Sequence, residues 1–123
     1  MDFDHFTITL LLLRPDAPHL TEDALDALQD EHMAHLADMH DAGLLLAAGP
    51  LPGDDDRRYR GLSVWRADPE RVRELLEQHP DPAVAAGRFS VEVLSWMVPS
   101  GAMSFAQTHF PRSMADARGA PGS

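Results

Sequence analysis

Residues 24–43, with the sequence ALDALQDEHMAHLADMHDAG, place four large apolar side chains at helical spacing: Leu25, Leu28, Leu36 and Met39. Together with position 32 they recur in steps of three and four, which puts all five positions on one face of an α-helix. Position 32 is His32, where a core-facing helix would normally carry an aliphatic side chain. Because a buried polar group without a partner costs roughly 1–3 kcal/mol, His32 is either a structural histidine with satisfied hydrogen bonds or a proton-handling group at the edge of a pocket.

The segments on either side of this helix predict a small α+β domain. Capping residues at Thr21 and Asp68 and a C-cap glycine at Gly43 bound two helices. Apolar and alternating runs predict four strands, so that the elements are strand 4–14, helix 22–42, strand 44–51, strand 59–66, helix 69–79 and strand 88–98. This β-α-β-β-α-β order is typical of a ferredoxin-like α+β sandwich. The three aspartates at 54–56 are expected to form a solvated turn.

The sheet of this domain is predicted to have two apolar faces. Two helices can cover only one face, yet the first and last strands carry apolar side chains on both, among them Leu11 and Leu94. A bare apolar sheet face is unstable in water, so we expect a second copy of the chain to cover it. The resulting homodimer would enclose a barrel with an interior cleft. We assign residues 1–98 to this α+β barrel domain and residues 99–123 to a partly ordered C-terminal extension that frays from residue 117.

The composition argues against several classes of function. Twenty acidic and ten basic residues give a formal net charge of −10, which repels phosphate backbones and anionic lipids, so we expect no nucleic-acid or membrane partner. The absence of cysteine excludes disulfides, thiolate nucleophiles and cysteine-bound zinc. The apolar run at 8–13 is too short to span a bilayer and lacks the features of a signal peptide. We therefore expect a cytoplasmic protein.

Two blocks of the sequence resemble the YCII-related family. The first is HMAHL at 32–36 followed by HDAGLLLAAGP at 40–50, a helix with one matching histidine, a glycine turn and a strand ending in Ala-Gly-Pro. The second is DPAVAAG at 81–87, and the resemblance extends over about residues 3–98. It implies a dimeric α+β barrel. The aromatic residue that often follows Asp-Pro in the family is replaced here by Ala83, a smaller side chain that would enlarge a pocket.

By this resemblance, His32 and Asp81 match the acid–base pair of the family. An imidazole titrates near neutral pH and can both accept and donate a proton. A carboxylate on its other nitrogen would fix the tautomer and stabilise the cation, and the prolines at 80 and 82 would limit the motion of Asp81. The alternative is that Asp81 is an ordinary turn residue that bonds its own backbone.

The predicted substrate-binding residues line the interior cleft: Thr7, Thr9, Trp65, Glu92 and Trp96. For the tryptophans the alternative is packing in the core or at the dimer interface, and for Glu92 it is a cross-strand ion pair. We expect no metal and no other cofactor, because His35, one turn from His32, has no obvious third ligand beside it. The remaining histidines are expected to face solvent or lie in loops: His5, His19, His40, His79 and His109.

The sequence leaves two functions open. One is a cofactor-independent enzyme that uses His32 and Asp81 for proton transfer, elimination, isomerisation or cyclisation of a cyclic or aromatic metabolite. The resemblance implies this chemistry, since a few related proteins act in aromatic breakdown, including dehydrochlorination, and secondary metabolism is a further setting. The other is a non-catalytic dimeric module that binds a small ligand or another protein.

Overall fold

The computed structural model describes residues 2–53 and 58–119. Its elements follow the predicted order, with two additional short helices: β1 Phe3–Leu13, α1 Glu22–Asp41, β2 Leu45–Pro50, β3 Tyr59–Trp65, α2 Pro69–Gln78, α3 Pro82–Ala85, β4 Phe89–Pro99 and α4 Met114–Gly119. The predicted acidic turn at 54–56 and the end of the extension at 120–123 lie outside the described residues. Residues 117–119, which were expected to fray, belong to α4.

The four strands form one antiparallel sheet in the order β2-β3-β1-β4. β1 therefore lies in the middle, paired with β3 on one side and with β4 on the other. This is the strand order of a ferredoxin-like fold, and the predicted α+β class is confirmed. The central position of β1 explains its continuous apolar run, since both of its edges are hydrogen-bonded and both of its faces are at least partly covered.

Local sequence signals account for the helix boundaries. The Thr21 hydroxyl accepts a hydrogen bond from the backbone N–H of Ala24, and the Asp68 carboxylate accepts one from that of Arg71. These contacts satisfy N–H groups that have no partner within the helix, and they start α1 and α2 at the predicted residues. Gly43 follows the end of α1 with a φ of +79°, a left-handed conformation that favours glycine.

The core lies between the helices and one face of the sheet. Its centre is a cluster of buried side chains from β2, β3 and α2: Leu45, Trp65, Val72 and Leu75. Thr7 and Thr9 point into the same layer. The Thr7 hydroxyl donates to the carbonyl oxygen of Ala67 at 2.7 Å, and the Trp65 indole N–H donates to the Thr9 hydroxyl at 2.9 Å. These two bonds let polar groups lie in the core without loss of hydrogen bonding.

The opposite face of the sheet is partly covered by the chain's own C-terminal extension. The ring of Phe105 contacts that of Phe6 edge-on, with centroids 5.4 Å apart, and Phe6 also contacts Trp96 at 5.8 Å. Leu12 is buried on this face, whereas Leu94 remains 46% exposed. The expectation of a wholly uncovered second face therefore needs correction, because the extension folds back over part of it.

Candidate active site

His32 and Asp81 meet in the structure, although 49 residues separate them in the sequence. The Nδ1 atom of His32 lies 2.5 Å from the Oδ2 atom of Asp81. Both side chains are largely shielded from solvent, with 13% of the imidazole and 7% of the carboxylate side chain exposed. In such surroundings a charge-assisted hydrogen bond is stronger than at the surface. The contact between the two predicted residues therefore has the geometry that an acid–base pair requires.

The position of Asp81 follows from its place before a helix. Asp81 is the N-cap of α3, and its Oδ1 atom accepts a hydrogen bond from the backbone N–H of Ala83 at 2.8 Å. Its Oδ2 atom is left for His32. The two predicted roles for Asp81, a turn residue and a histidine partner, are thus filled by different oxygens of one carboxylate. The cap restricts rotation of the side chain and so orients the oxygen that contacts the imidazole.

The same geometry determines where the imidazole carries its proton. An ionised carboxylate can only accept hydrogen bonds, so Nδ1 of His32 donates to Asp81. The other ring nitrogen, Nε2, has no hydrogen-bond partner among the described residues. Within that part of the chain, no fully buried side-chain nitrogen or oxygen lacks a partner, so Nε2 retains some exposure, and His32 is one of the residues that line a cavity. In the neutral form its lone pair is free to accept a proton.

This cavity has a volume of about 670 Å³ and lies between α1, the helix-covered face of the sheet and the C-terminal extension. Its volume is within the range of small-molecule sites. Its walls carry apolar side chains such as Met33 and Phe110, with polar side chains at a few places, among them Gln29, His32, Ser63 and Arg88. The cavity is built within one chain, which differs from the predicted site in a cleft between two sheets.

The outer wall of the cavity is a segment of the extension, residues 108–111, and His40 holds it in place. The imidazole of His40 stacks on the ring of Phe110 at 4.0 Å. Its Nδ1 donates to the carbonyl oxygen of Leu45 at 2.7 Å, and its Nε2 lies 3.3 Å from the backbone nitrogen of Thr108 and 3.0 Å from its carbonyl oxygen. The expectation that His40 faces solvent is therefore wrong, because it is buried between α1, β2 and the extension.

Arg112 fastens the extension to the outside of α1. Its guanidinium pairs with Asp38 and lies 3.4 Å from the carboxylate of Asp41, and these contacts raise the pKa of Arg112. The backbone N–H of Met114 donates to the Asp30 carboxylate at 2.8 Å. The extension is thus part of the cavity wall and packs on its own chain.

A second histidine, His35, lies one turn after His32 on α1. Burial lowers the pKa of His35 below its usual value, and the charge of Asp81 opposes this shift only in part. His32 and His79 lower the pKa of His35 further, and the charge of Asp38 raises it. His35 is therefore biased toward its neutral form beside the His32–Asp81 pair. No group of three or more potential metal ligands occurs within residues 2–53 and 58–119.

A sequence profile of the YCII-related domain matches residues 8–97. The chain belongs to the YCII-related family. The matched region begins in β1 and ends in β4, so it contains both His32 and Asp81, whereas the segment that forms the outer wall of the cavity lies beyond it. No curated protein matches this YCII-related chain, and none of its described helices is long and apolar enough to cross a membrane.

Several solved structures are similar to this chain at low sequence identity. One is the 5-chloro-2-hydroxyhydroquinone dehydrochlorinase TftG from Burkholderia phenoliruptrix, in complex with 2,5-dihydroxybenzoquinone, with 22% identity over 74% of this chain and 92% of that chain and a TM-score of 0.47. Another is SnoaB, a cofactor-independent oxygenase from Streptomyces nogalater, with 15% identity over 82% and 99% and a TM-score of 0.48. A dimeric protein of unknown function from Bacteroides fragilis has 17% identity over 76% and 95% and a TM-score of 0.41.

The five predicted substrate-binding residues do not surround one cleft. The strand register pairs Thr7 with Trp65 and with Ser95, so Thr7, Thr9 and Trp65 lie on the helix-covered face and are buried there. Trp96 pairs with Phe6 on the opposite face. Glu92 lies on that same opposite face, half-exposed and 3.9 Å from Arg58.

Sequence reasoning missed most of the side chains that line the cavity, including Gln29, Met33, Ser63, Arg88 and Phe110. A signal existed for two of them. Gln29 lies three residues before His32, and Met33 lies four residues after Gln29, which places Gln29 beside each of them on α1. The positions of Arg88 and Phe110 depend on how β4 and the extension return to α1, and no local pattern reports this.

Proposed function

We propose that this YCII-related chain is a cofactor-independent enzyme that moves a proton on a cyclic or aromatic small molecule. The observation that supports it is that the two nitrogens of one imidazole differ: Nδ1 of His32 is bonded to Asp81, whereas Nε2 has no partner among the described residues in a side chain that lines the cavity. This arrangement is that of a general base with an orienting carboxylate. A structural histidine would more often have both ring nitrogens paired, as His40 does in this same chain.

In the proposed reaction, Nε2 of His32 accepts a proton from a C–H or O–H group of the substrate. The electron pair of that bond stays on the substrate, where it forms an enolate, or a double bond if a leaving group departs with its own pair. Asp81 stabilises the resulting imidazolium through Nδ1. Return of the proton to another atom regenerates His32 and completes an isomerisation, whereas its return to the same atom gives only exchange of that hydrogen. The apolar walls limit access of water, which strengthens these electrostatic interactions.

The test is exchange of carbon-bound substrate hydrogen for deuterium, because hydroxyl hydrogens exchange with D₂O without an enzyme. The protein is incubated in D₂O with a panel of hydroxylated and keto-bearing ring compounds, and exchange is followed by mass spectrometry. A His32→Gln variant, which cannot accept the proton, is expected to lower the exchange rate of active compounds by about 10²–10⁴-fold. The matched control is His5→Gln, an exposed histidine on β1 that does not line the cavity, and it should exchange at the wild-type rate.

Two outcomes would reject this function. Equal exchange by the wild type and the His32→Gln variant would show that the imidazole does not transfer the proton. Tight binding of ring compounds with no exchange and no conversion of any of them would favour the other candidate, a non-catalytic ligand-binding module. A circular dichroism spectrum of each variant establishes that the fold is retained.

We also propose that two chains associate through the sheet face that bears Leu94 and Trp96. The extension leaves this part of the face accessible, and exposed apolar patches of this kind are typical of subunit interfaces. Light scattering is expected to give a mass near 27 kDa, twice the 13.5 kDa of the chain. A mass of 13.5 kDa at micromolar concentration would contradict the homodimer.

A further inference from the structure

The charge of the cavity differs in sign from that of the whole chain. The sequence holds twenty acidic and ten basic residues, yet among the described residues that line the cavity none is Asp or Glu. The ionisable side chains there are His32, Arg60, Arg88 and His109. An acidic protein that keeps its carboxylates out of a cavity and places cationic side chains there has a local environment suited to an anion.

These basic side chains differ in whether an acidic partner lies beside them. His109 lies 3.1 Å from the carboxylate of Asp116, and Arg60 has interactions of its own within the chain. Arg88 is different. Its guanidinium lies 5.1 Å from the centroid of the Phe89 ring, and it forms no ion pair or side-chain hydrogen bond with any residue in the described ranges. Arg88 therefore brings to the cavity a positive charge that no described carboxylate pairs with.

The backbone holds Arg88 at a defined place. Gly87, with a φ of +80°, ends the turn that follows α3. The backbone N–H of Arg88 donates to the carbonyl oxygen of Ala83. The carbonyl oxygen of Arg88 accepts a hydrogen bond from the backbone N–H of Arg14. Since α3 is the helix that Asp81 caps, Arg88 and Asp81 are attached to the two ends of one short, hydrogen-bonded segment. The cation is therefore positioned together with the acid–base pair.

We propose that Arg88 is the anion-binding residue of this cavity and selects ring compounds that carry a negative charge as an enolate, phenolate or carboxylate. This inference rests on the proposed function of the His32–Asp81 pair and adds the substrate class. The planar guanidinium can donate two parallel hydrogen bonds to such oxygens, and the Phe89 ring restricts its orientation. When Nε2 of His32 removes a proton, the charge that remains on the substrate is opposite to that of Arg88, so the interaction strengthens during the reaction.

The test compares two probes that share one ring system. The first is 2-hydroxy-1,4-naphthoquinone, which is ionised at neutral pH, and the second is its neutral methyl ether, 2-methoxy-1,4-naphthoquinone. Calorimetry measures the affinity of each for the wild type, for Arg88→Gln and for the control Arg73→Gln, an exposed arginine on α2 outside the cavity. Arg88→Gln is expected to weaken binding of the anion about 10- to 100-fold and that of the ether less than about twofold. Arg73→Gln should change neither.

Several results would overturn the inference. They are unchanged affinity of Arg88→Gln for the anion, preference of the wild type for the ether, and binding of neither probe by the wild type at concentrations up to about 1 mM.

A His32→Gln variant separates this inference from the proposed function. It should bind the anion while losing deuterium exchange. If His32→Gln loses exchange but Arg88→Gln binds the anion as the wild type does, only the role of Arg88 is rejected. If Arg88→Gln loses anion affinity but exchange does not depend on His32, only the proton-transfer function is rejected.

Discussion

An Asp81→Asn variant is expected to lose about 10²–10⁴-fold in turnover while keeping its fold. Asparagine is as good an N-cap as aspartate, so its oxygen can still accept the hydrogen bond from Ala83. The NH₂ group of the amide would then face Nδ1 of His32. Because that group can only donate, Nδ1 must become the acceptor, and the proton of the neutral imidazole moves to Nε2. His32 would present an N–H to the cavity and could no longer act as a base.

The matched control for this prediction is Asp68→Asn. Asp68 caps α2 as Asp81 caps α3, through a hydrogen bond to the backbone N–H of Arg71, but it has no catalytic partner. Both variants keep an N-cap, so circular dichroism should show a retained fold for both, whereas only Asp81→Asn should lose deuterium exchange. Wild-type exchange rates in Asp81→Asn would show that the carboxylate does not set the tautomer of His32.

The largest effect on stability is expected for Trp65→Ala. Trp65 is buried in the core between the sheet and the helices, and its indole N–H is bonded to Thr9. Removal of such a side chain leaves a cavity and is expected to lower the free energy of unfolding by about 3–5 kcal/mol. Urea unfolding measures this difference at a fixed protein concentration.

Trp96→Ala provides the comparison, because Trp96 lies on the opposite face of the sheet and is only partly buried. Its removal should lower the free energy of unfolding by less than about 2 kcal/mol in the single chain and should weaken association of two chains. Similar losses for both variants at a concentration where the chain is monomeric would contradict the placement of Trp65 in the core.

Trp65→Phe keeps an aromatic ring in the core and is expected to retain deuterium exchange. If Trp65 bound the substrate directly, this variant would lose exchange.

Much of the fold follows from periodic signals that are local in the sequence. The helical spacing of apolar side chains from Leu25 to Met39 predicts α1. Thr21 and Asp68 mark the beginnings of two helices as the structure has them. His32 is conspicuous because it occupies one of these otherwise apolar positions. The partner of His32 is indicated by the resemblance around Asp81, since no spacing rule connects residues that lie 49 positions apart.

The remaining features depend on long-range arrangement. Which face of a strand meets the helices is set by register, and a shift of one residue exchanges the two faces. For this reason the sequence placed Trp96 beside Thr7 and Thr9, whereas the pairing of Thr7 with Ser95 puts Trp96 on the other side. The path of the extension depends on contacts such as that between Met114 and Asp30, which lie 84 positions apart. The sequence therefore did not reveal that residues 108–111 form a cavity wall.

The most direct test of the account is the position of the proton on His32. Long-range ¹H–¹⁵N correlation spectra distinguish the two neutral tautomers of a histidine, and His32→Gln assigns the signals. In free histidine the proton prefers Nε2, so a carboxylate at Nδ1 must reverse that preference. At a pH where His32 is neutral, the account predicts a protonated Nδ1 and a bare Nε2. A protonated Nε2 with a bare Nδ1 would contradict it.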